Sequence, residues 1–215
     1  MTRTFDELID DDPAWADVAA AIADPAARTP HVLPPGPAAA RCNLLDLQVS
    51  TRSTLGAVVL ETGGLLFERG RLRVLGSSGG EAVRDVLAWN RSAQGIETVR
   101  DLPFLLVADD VFGGFFALNA TGIAGAEPGS ICYGGPEDLD WDPLEIGYTA
   151  FLDWCFTGDL AGFYGDLWHL EDANHVPTGS ALSFYPFLWS SPDARAADVD
   201  RRVVPIGELY GVRFG

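Results

Sequence analysis

Two adjacent carboxylates, Asp109 and Asp110, end the apolar run PFLLVADD, and Gly113 and Gly114 follow at once in VFGG. Carboxylates held close enough to share a proton or a metal ion would serve general acid–base or hydrolytic chemistry. On a strand, however, neighbouring side chains point to opposite faces, so the pair converges only where a bulge or tight turn redirects one of them. Asp is also a turn residue whose side chain accepts backbone N–H bonds. The spacing favours a turn built from Asp109, Asp110, Gly113 and Gly114, with a reactive pair as the alternative.

HLEDANH offers His169, Glu171, Asp172 and His175 as metal ligands. A six-residue separation of the histidines turns them off a common helical face, so this is not the HExxH arrangement. Cys155 lies on an apolar helical pattern where a thiol resists ionisation. GSSGGEAVRDVLAWN resembles a phosphate cradle only superficially, because a P-loop needs a lysine after its glycines and the chain contains none. These residues predict no cofactor and no bound metal.

The formal net charge is −17, with 31 Asp and Glu against 14 arginines. That balance argues against nucleic acid and anionic membranes as partners, since both attract Lys and Arg, and it points to a cationic partner. The terminus MTRTFDELIDDDPAW has no apolar signal core, and no apolar run approaches a membrane span. Cys42, Cys132 and Cys155 lack CxxC spacing, and a reducing cytoplasm is expected.

The elements that must position these residues follow from periodicity. Asp12 reads as an N-cap and Pro13 as a first helical residue, with Trp15, Val18, Ala19 and Ile22 on one helical face. TPHVLPPGPAA reads as a connector and RCNLLDLQV as a short helix. LGAVVLETGGLLFERGRLRVLGS reads as a strand meander turned at Gly63, Gly64 and Gly70, with Leu72 and Val74 buried and Arg71 and Arg73 wet. A helix is predicted from Glu81 to Asn90, a hairpin at PFLLVADDVFGGFFALN and a strand near SICYGG. Two core helices follow, one presenting Tyr148, Phe151, Leu152 and Cys155, the other Leu160, Phe163, Tyr164, Leu167 and Trp168 behind an Asp159 cap. SFYPFLW reads as a late strand with Pro186 at an edge or bulge, ahead of a short terminal strand. The expected organisation is a helical segment and connector over residues 1–40, then one α+β domain over 41–215 with a mixed or mainly antiparallel twisted sheet.

LQVSTRSTLGAVVLETGGLLFERGRLRVLGS, AWN, LLVADDVFGGFFALN, YGGPEDLDWDPLEIGYTAFLDWCFTGDLAGFY and FYPFLW, in this order, resemble the bacterial family catalogued as domain of unknown function 2625. The hairpin, the acidic tryptophan loop and the YTAFLDW helix are also similar in arrangement to the SUKH superfamily, many of whose members are immunity proteins that neutralise toxins. This second resemblance implies a SUKH-like fold and a toxin-binding role.

From Asp101 to Ala194 the chain carries 15 acidic residues and no Lys or Arg. In the middle of that stretch Glu137, Asp138, Asp140 and Asp142 surround Trp141, which is either an aromatic anchor with an acidic rim suited to a cationic protein patch or a tryptophan folded back into the core beneath a solvated loop. The expected function is thus a non-catalytic protein-binding module, possessing in the immunity case a basic toxin as partner. The alternatives are a hydrolase or metal-dependent enzyme using Asp109 and Asp110 or His169 and His175, and a housekeeping oligomer whose acidity maintains solubility.

Overall fold

The computed structural model of the chain describes residues 2–78, 84–191 and 193–215. Seven strands form one meander in chain order: β1 (His31–Leu33), β2 (Gly64–Phe67), β3 (Leu72–Leu75), β4 (Phe104–Asp110), β5 (Phe115–Asn119), β6 (Ser130–Gly134) and β7 (Asp142–Gly147). A separate ladder joins β8 (Ser180–Tyr185) to β9 (Asp200–Pro205). All of these ladders are antiparallel, which resolves the expected mixed or antiparallel sheet in favour of the second. The chain forms a single α+β domain.

Alternation along β5 sets the layers. Phe116 enters the larger apolar cluster, with Phe67, Phe112, Phe151 and Phe156, whereas Phe115 and Ala117 enter a smaller one with Leu106, Cys132 and Tyr210. The helices ahead of the final one are α1 (Phe5–Leu8), α2 (Trp15–Ala23), α3 (Pro37–Leu47), α4 (Thr54–Glu61), α5 (Val86–Gln94), α6 (Tyr148–Thr157) and α7 (Leu160–Tyr164), of which α2, α4, α6 and α7 pack on the larger side. On the smaller side lies α8 (Ile206–Phe214), whose Tyr210 meets Phe115 edge-on with ring centroids 5.3 Å apart. Both faces of the central strands are covered, so side chains on either face are withdrawn from water.

That coverage explains where the periodicity misleads. Arg73 is buried, not wet, because the segment leading into β8 closes over the second face of β3. The first leg of the expected meander is the helix α4: Ser53 caps it by accepting from the Gly56 N–H at 3.0 Å, and Leu55, Gly56, Ala57, Val58 and Val59 are all buried. A short apolar run buried on all sides has no period that separates strand from helix. The proline-rich connector contributes β1, paired with β2, while Leu8 and Val18 from the preceding segment are buried in the same body. The second predicted core helix breaks at Gly165 (φ +52°), so Leu167 and Trp168 lie in a following 3-10 turn. Pro186 sits just beyond β8, and the chain ends in α8 after the expected terminal strand. Residues 79–83, including Glu81, lie outside the described residues; the helix there is described as α5 (Val86–Gln94), capped by Asp85.

Candidate functional site

The β3–β4 register sets Arg73 directly opposite Asp109 and Leu72 opposite Asp110. Asp109 is fully buried and faces two arginines: Arg73 Nε lies 2.6 Å from Oδ1 as an ion pair rather than an aligned hydrogen bond, and Arg84 Nη2 donates to Oδ2. The remaining Arg73 nitrogens donate to the carbonyls of Asp110 (2.6 Å), Ser180 (2.8 Å), Thr178 (3.1 Å) and Pro177 (3.3 Å). Arg84 also donates to the Thr178 carbonyl at 3.1 Å and lies over the Trp89 ring. One carboxylate thereby fixes two guanidinium groups that tie β3, the start of α5 and the approach to β8 together. Burial pulls the Arg73 guanidinium down from its ordinary range and the Asp109 charge opposes the pull.

Asp110 points the other way and alone of the two bonds the turn; Asp109, expected in the same turn, faces the arginines instead. Its Oδ1 accepts the N–H groups of Phe112 (2.8 Å) and Gly114 (2.9 Å), and its Oδ2 accepts the Tyr133 hydroxyl at 2.9 Å. Gly113 takes φ +88°, which glycine adopts without strain, and a side chain on Gly114 would collide with Asp110 and Tyr133. Burial pushes the Asp110 carboxyl up, while the Gly114 N–H, the Tyr133 hydroxyl and the Arg73 charge pull it back. Burial and the Asp110 charge together raise the Tyr133 phenol. The two carboxylates do not converge, and neither presents a free oxygen to solvent.

Close by, a β-bulge between Leu106 and Ala108 shifts the β4 register. Asn90 of the AWN stretch fills the gap in the ladder: its side chain donates to the Leu106 carbonyl at 2.8 Å and accepts the Leu106 N–H at 2.7 Å. The side-chain amide stands in for a neighbouring strand's backbone, which is why a fully buried polar residue is stable there.

The other candidates are dispersed. His169 and His175 are exposed in consecutive 3-10 turns, Asp172 pairs with Arg201 at 2.9 Å, and no group of three or more metal-ligating side chains gathers among the described residues. Cys155 is buried in α6, where burial pushes its thiol well up. Among the described residues no helix is long and apolar enough to cross a membrane.

The acidic loop between β6 and β7 is built differently. Glu137, Asp138, Asp140 and Asp142 are exposed, and Asp138 Oδ1 accepts the N–H groups of Leu139 (2.6 Å) and Asp140 (3.1 Å). Trp141 is half-buried beneath them, stacked on Phe214 of α8 with centroids 4.8 Å apart and tilted against Phe104 at 5.2 Å. Arg213, next along α8, donates to the Gly134 carbonyl at 3.0 Å. Of the two readings of Trp141 the packing favours the inward one: it holds the loop from below, and Leu139, 51% exposed, is the apolar residue at the loop's surface.

The model of the family described as protein of unknown function DUF2625 matches residues 5–209. The chain belongs to this family. It is 37% identical to the putative uncharacterized protein YbfG of Escherichia coli (strain K12), over 99% of this chain and 96% of that relative. It is 38% identical to an uncharacterized protein of Haemophilus influenzae (strain ATCC 51907 / DSM 11121 / KW20 / Rd), over 80% of this chain and 76% of that one.

Arg73 and Arg84 were not among the residues whose types suggested a site. The usable signal was an arginine alternating with Leu72 and Val74 in a strand adjacent to one ending in carboxylates, since a buried arginine requires a buried acid. Phe214 as the seat of Trp141 carried no such signal, because the two meet only through the tertiary fold.

Proposed function

We propose that this protein is a non-catalytic binding module for a cationic protein, and that the loop bearing Glu137, Asp138, Asp140 and Asp142 is the surface that meets it. The resemblance to immunity proteins makes a basic toxin the specific partner of this reading. The observation that carries the proposal is the contrast in how the acids are answered: Asp109 is neutralised inside the fold by Arg73 and Arg84, whereas the four loop acids are exposed within a stretch that contains no Lys or Arg from Asp101 to Ala194. Arg213 lies near Asp138 and Asp142, so four acids meet one cation there, and the surplus negative charge steers an oppositely charged partner and raises its association rate. Trp141 and Asp138 keep the loop in one shape, which lowers the entropy lost on docking.

The test separates location from net charge. Glu137, Asp138, Asp140 and Asp142 are reversed to Lys in one variant, and the exposed acids Asp6, Asp11, Asp12 and Asp17 in another. Association of an arginine-rich peptide is measured by stopped flow across a salt series. The proposal expects the loop variant to slow association about tenfold and flatten its salt dependence, with a much smaller effect from the amino-terminal variant. Equal losses from both would reduce the acidity to a general property of the surface and contradict the proposal.

A further inference from the structure

Beside the acidic loop, the chain leaving β8 makes an aromatic shelf. Tyr185 is 75% exposed, Pro186 follows it, and Phe187 and Trp189 stack face to face with centroids 4.3 Å apart. Ser183, Tyr185 and Phe187 wall a groove of about 340 Å³ against Asp200, Arg202 and Val204 of β9. A second cleft, of about 10 Å³, connects the shelf to the loop: Phe187 and Trp189 line it together with Pro136, the residue just ahead of Glu137. That cleft is too narrow for a side chain, so it joins the loop to the shelf and the groove is the space that can receive one.

The large hydrophobic side chains exposed among the described residues include Tyr185, which walls the groove, and Leu139 on the acidic loop, whereas Val203 pairs with Leu182 and lies on the other face of β9. A group of apolar side chains rimmed by charge marks an interaction site more often than a solvated surface. The rim decides what occupies it: Glu137, Asp138 and Asp140 stand on the loop side and Asp200 at the groove itself, four acids against two lining arginines, Arg202 in the groove and Arg213 in the cleft.

We propose that this shelf and groove form the apolar centre of the docking surface, taking an apolar side chain flanked by arginine or lysine in the cationic partner. The inference rests on the binding role assigned above to the acidic loop and adds to it what the loop cannot supply, a short-range contact that distinguishes one basic segment from another. Charge brings the partner in, and burial of an anchor on the shelf holds it.

Two synthetic peptides of equal length and charge serve as probes, one alternating arginine with leucine and the other arginine with serine, titrated by calorimetry against the full chain. The leucine peptide is expected to bind about tenfold more tightly. Trp189→Ala and Tyr185→Ser are each expected to remove most of that advantage while leaving the serine peptide unaffected. Tyr185→Ser keeps the test valid if Trp189→Ala fails to fold, because a side chain 75% exposed contributes little to the core. Equal affinities for the two peptides, or a leucine advantage that survives Tyr185→Ser, would overturn the inference. A loop reversal that leaves the serine peptide's binding unchanged would instead overturn the acidic-loop reading, so the two failures are distinguishable.

Discussion

Asp109 and Asp110 are fully buried, whereas Glu137, Asp138, Asp140 and Asp142 stand in solvent, and the two groups differ in what answers their charge. Asp109 has two guanidinium partners, and Asp110 has two backbone N–H groups and a phenol. A buried carboxylate is tolerated only when its hydrogen-bonding capacity is filled from within, which leaves it nothing to offer a ligand. The loop acids have the local bonds of Asp138 and one nearby cation, Arg213, and the rest of their field acts outside the molecule. Acidity in this chain therefore serves as internal scaffold in one place and as surface field in another.

The largest effect that separates the two regions is expected at Asp109. Asp109→Ala leaves Arg73 and Arg84 buried without their counter-charge and should cost about 3–5 kcal/mol in urea unfolding, against at most about 0.5 kcal/mol for Asp140→Ala. A loss below about 1 kcal/mol at Asp109 would show that the pair is not the scaffold. Next, Trp141→Ala removes the stack on Phe214 and the contact with Phe104, and about 2 kcal/mol of stability should go with it. Unchanged stability would place the tryptophan on the binding face after all.

A smaller effect concerns pH. The folded Asp110 carboxyl titrates above its ordinary 3.8, so below that pH it is protonated in both states and imposes no penalty. As pH rises from there through the folded value, the unfolded chain gives up its proton first and stability falls. Asp110→Asn removes this titration while keeping an oxygen for the Phe112 and Gly114 N–H groups, at a cost of about 1 kcal/mol at acid pH. Thermal melts should show the variant gaining on the native protein between acid and neutral pH. A variant that loses ground over that range would mean the ionised carboxylate is stabilised by its surroundings, contrary to the burial argument.

How much of this was legible in the sequence depends on whether the controlling contact is local. The hairpin, the Asp110 turn and the Asp159 cap, which accepts the Gly162 N–H at 2.9 Å, follow from residues a few positions apart. The buried faces of Tyr148, Phe151, Leu152 and Cys155 follow from helical period. Arg73 was misplaced because alternation identifies two faces of a strand without revealing that both are covered. α4 was misassigned because a run buried on every side has no wet residues to set its period. Trp141 needed knowledge of α8, far along the chain, before its direction was decided.

The most direct test of the account is a nuclear magnetic resonance titration of the isotope-labelled chain with an arginine-rich peptide at near-physiological salt. The account predicts that amide shifts concentrate at residues 137–142 and the adjoining shelf near Trp189, with the Asp109 and Asp110 amides unmoved. Shifts spread evenly over every exposed carboxylate, with the loop no different from Asp11 and Asp12, would contradict it.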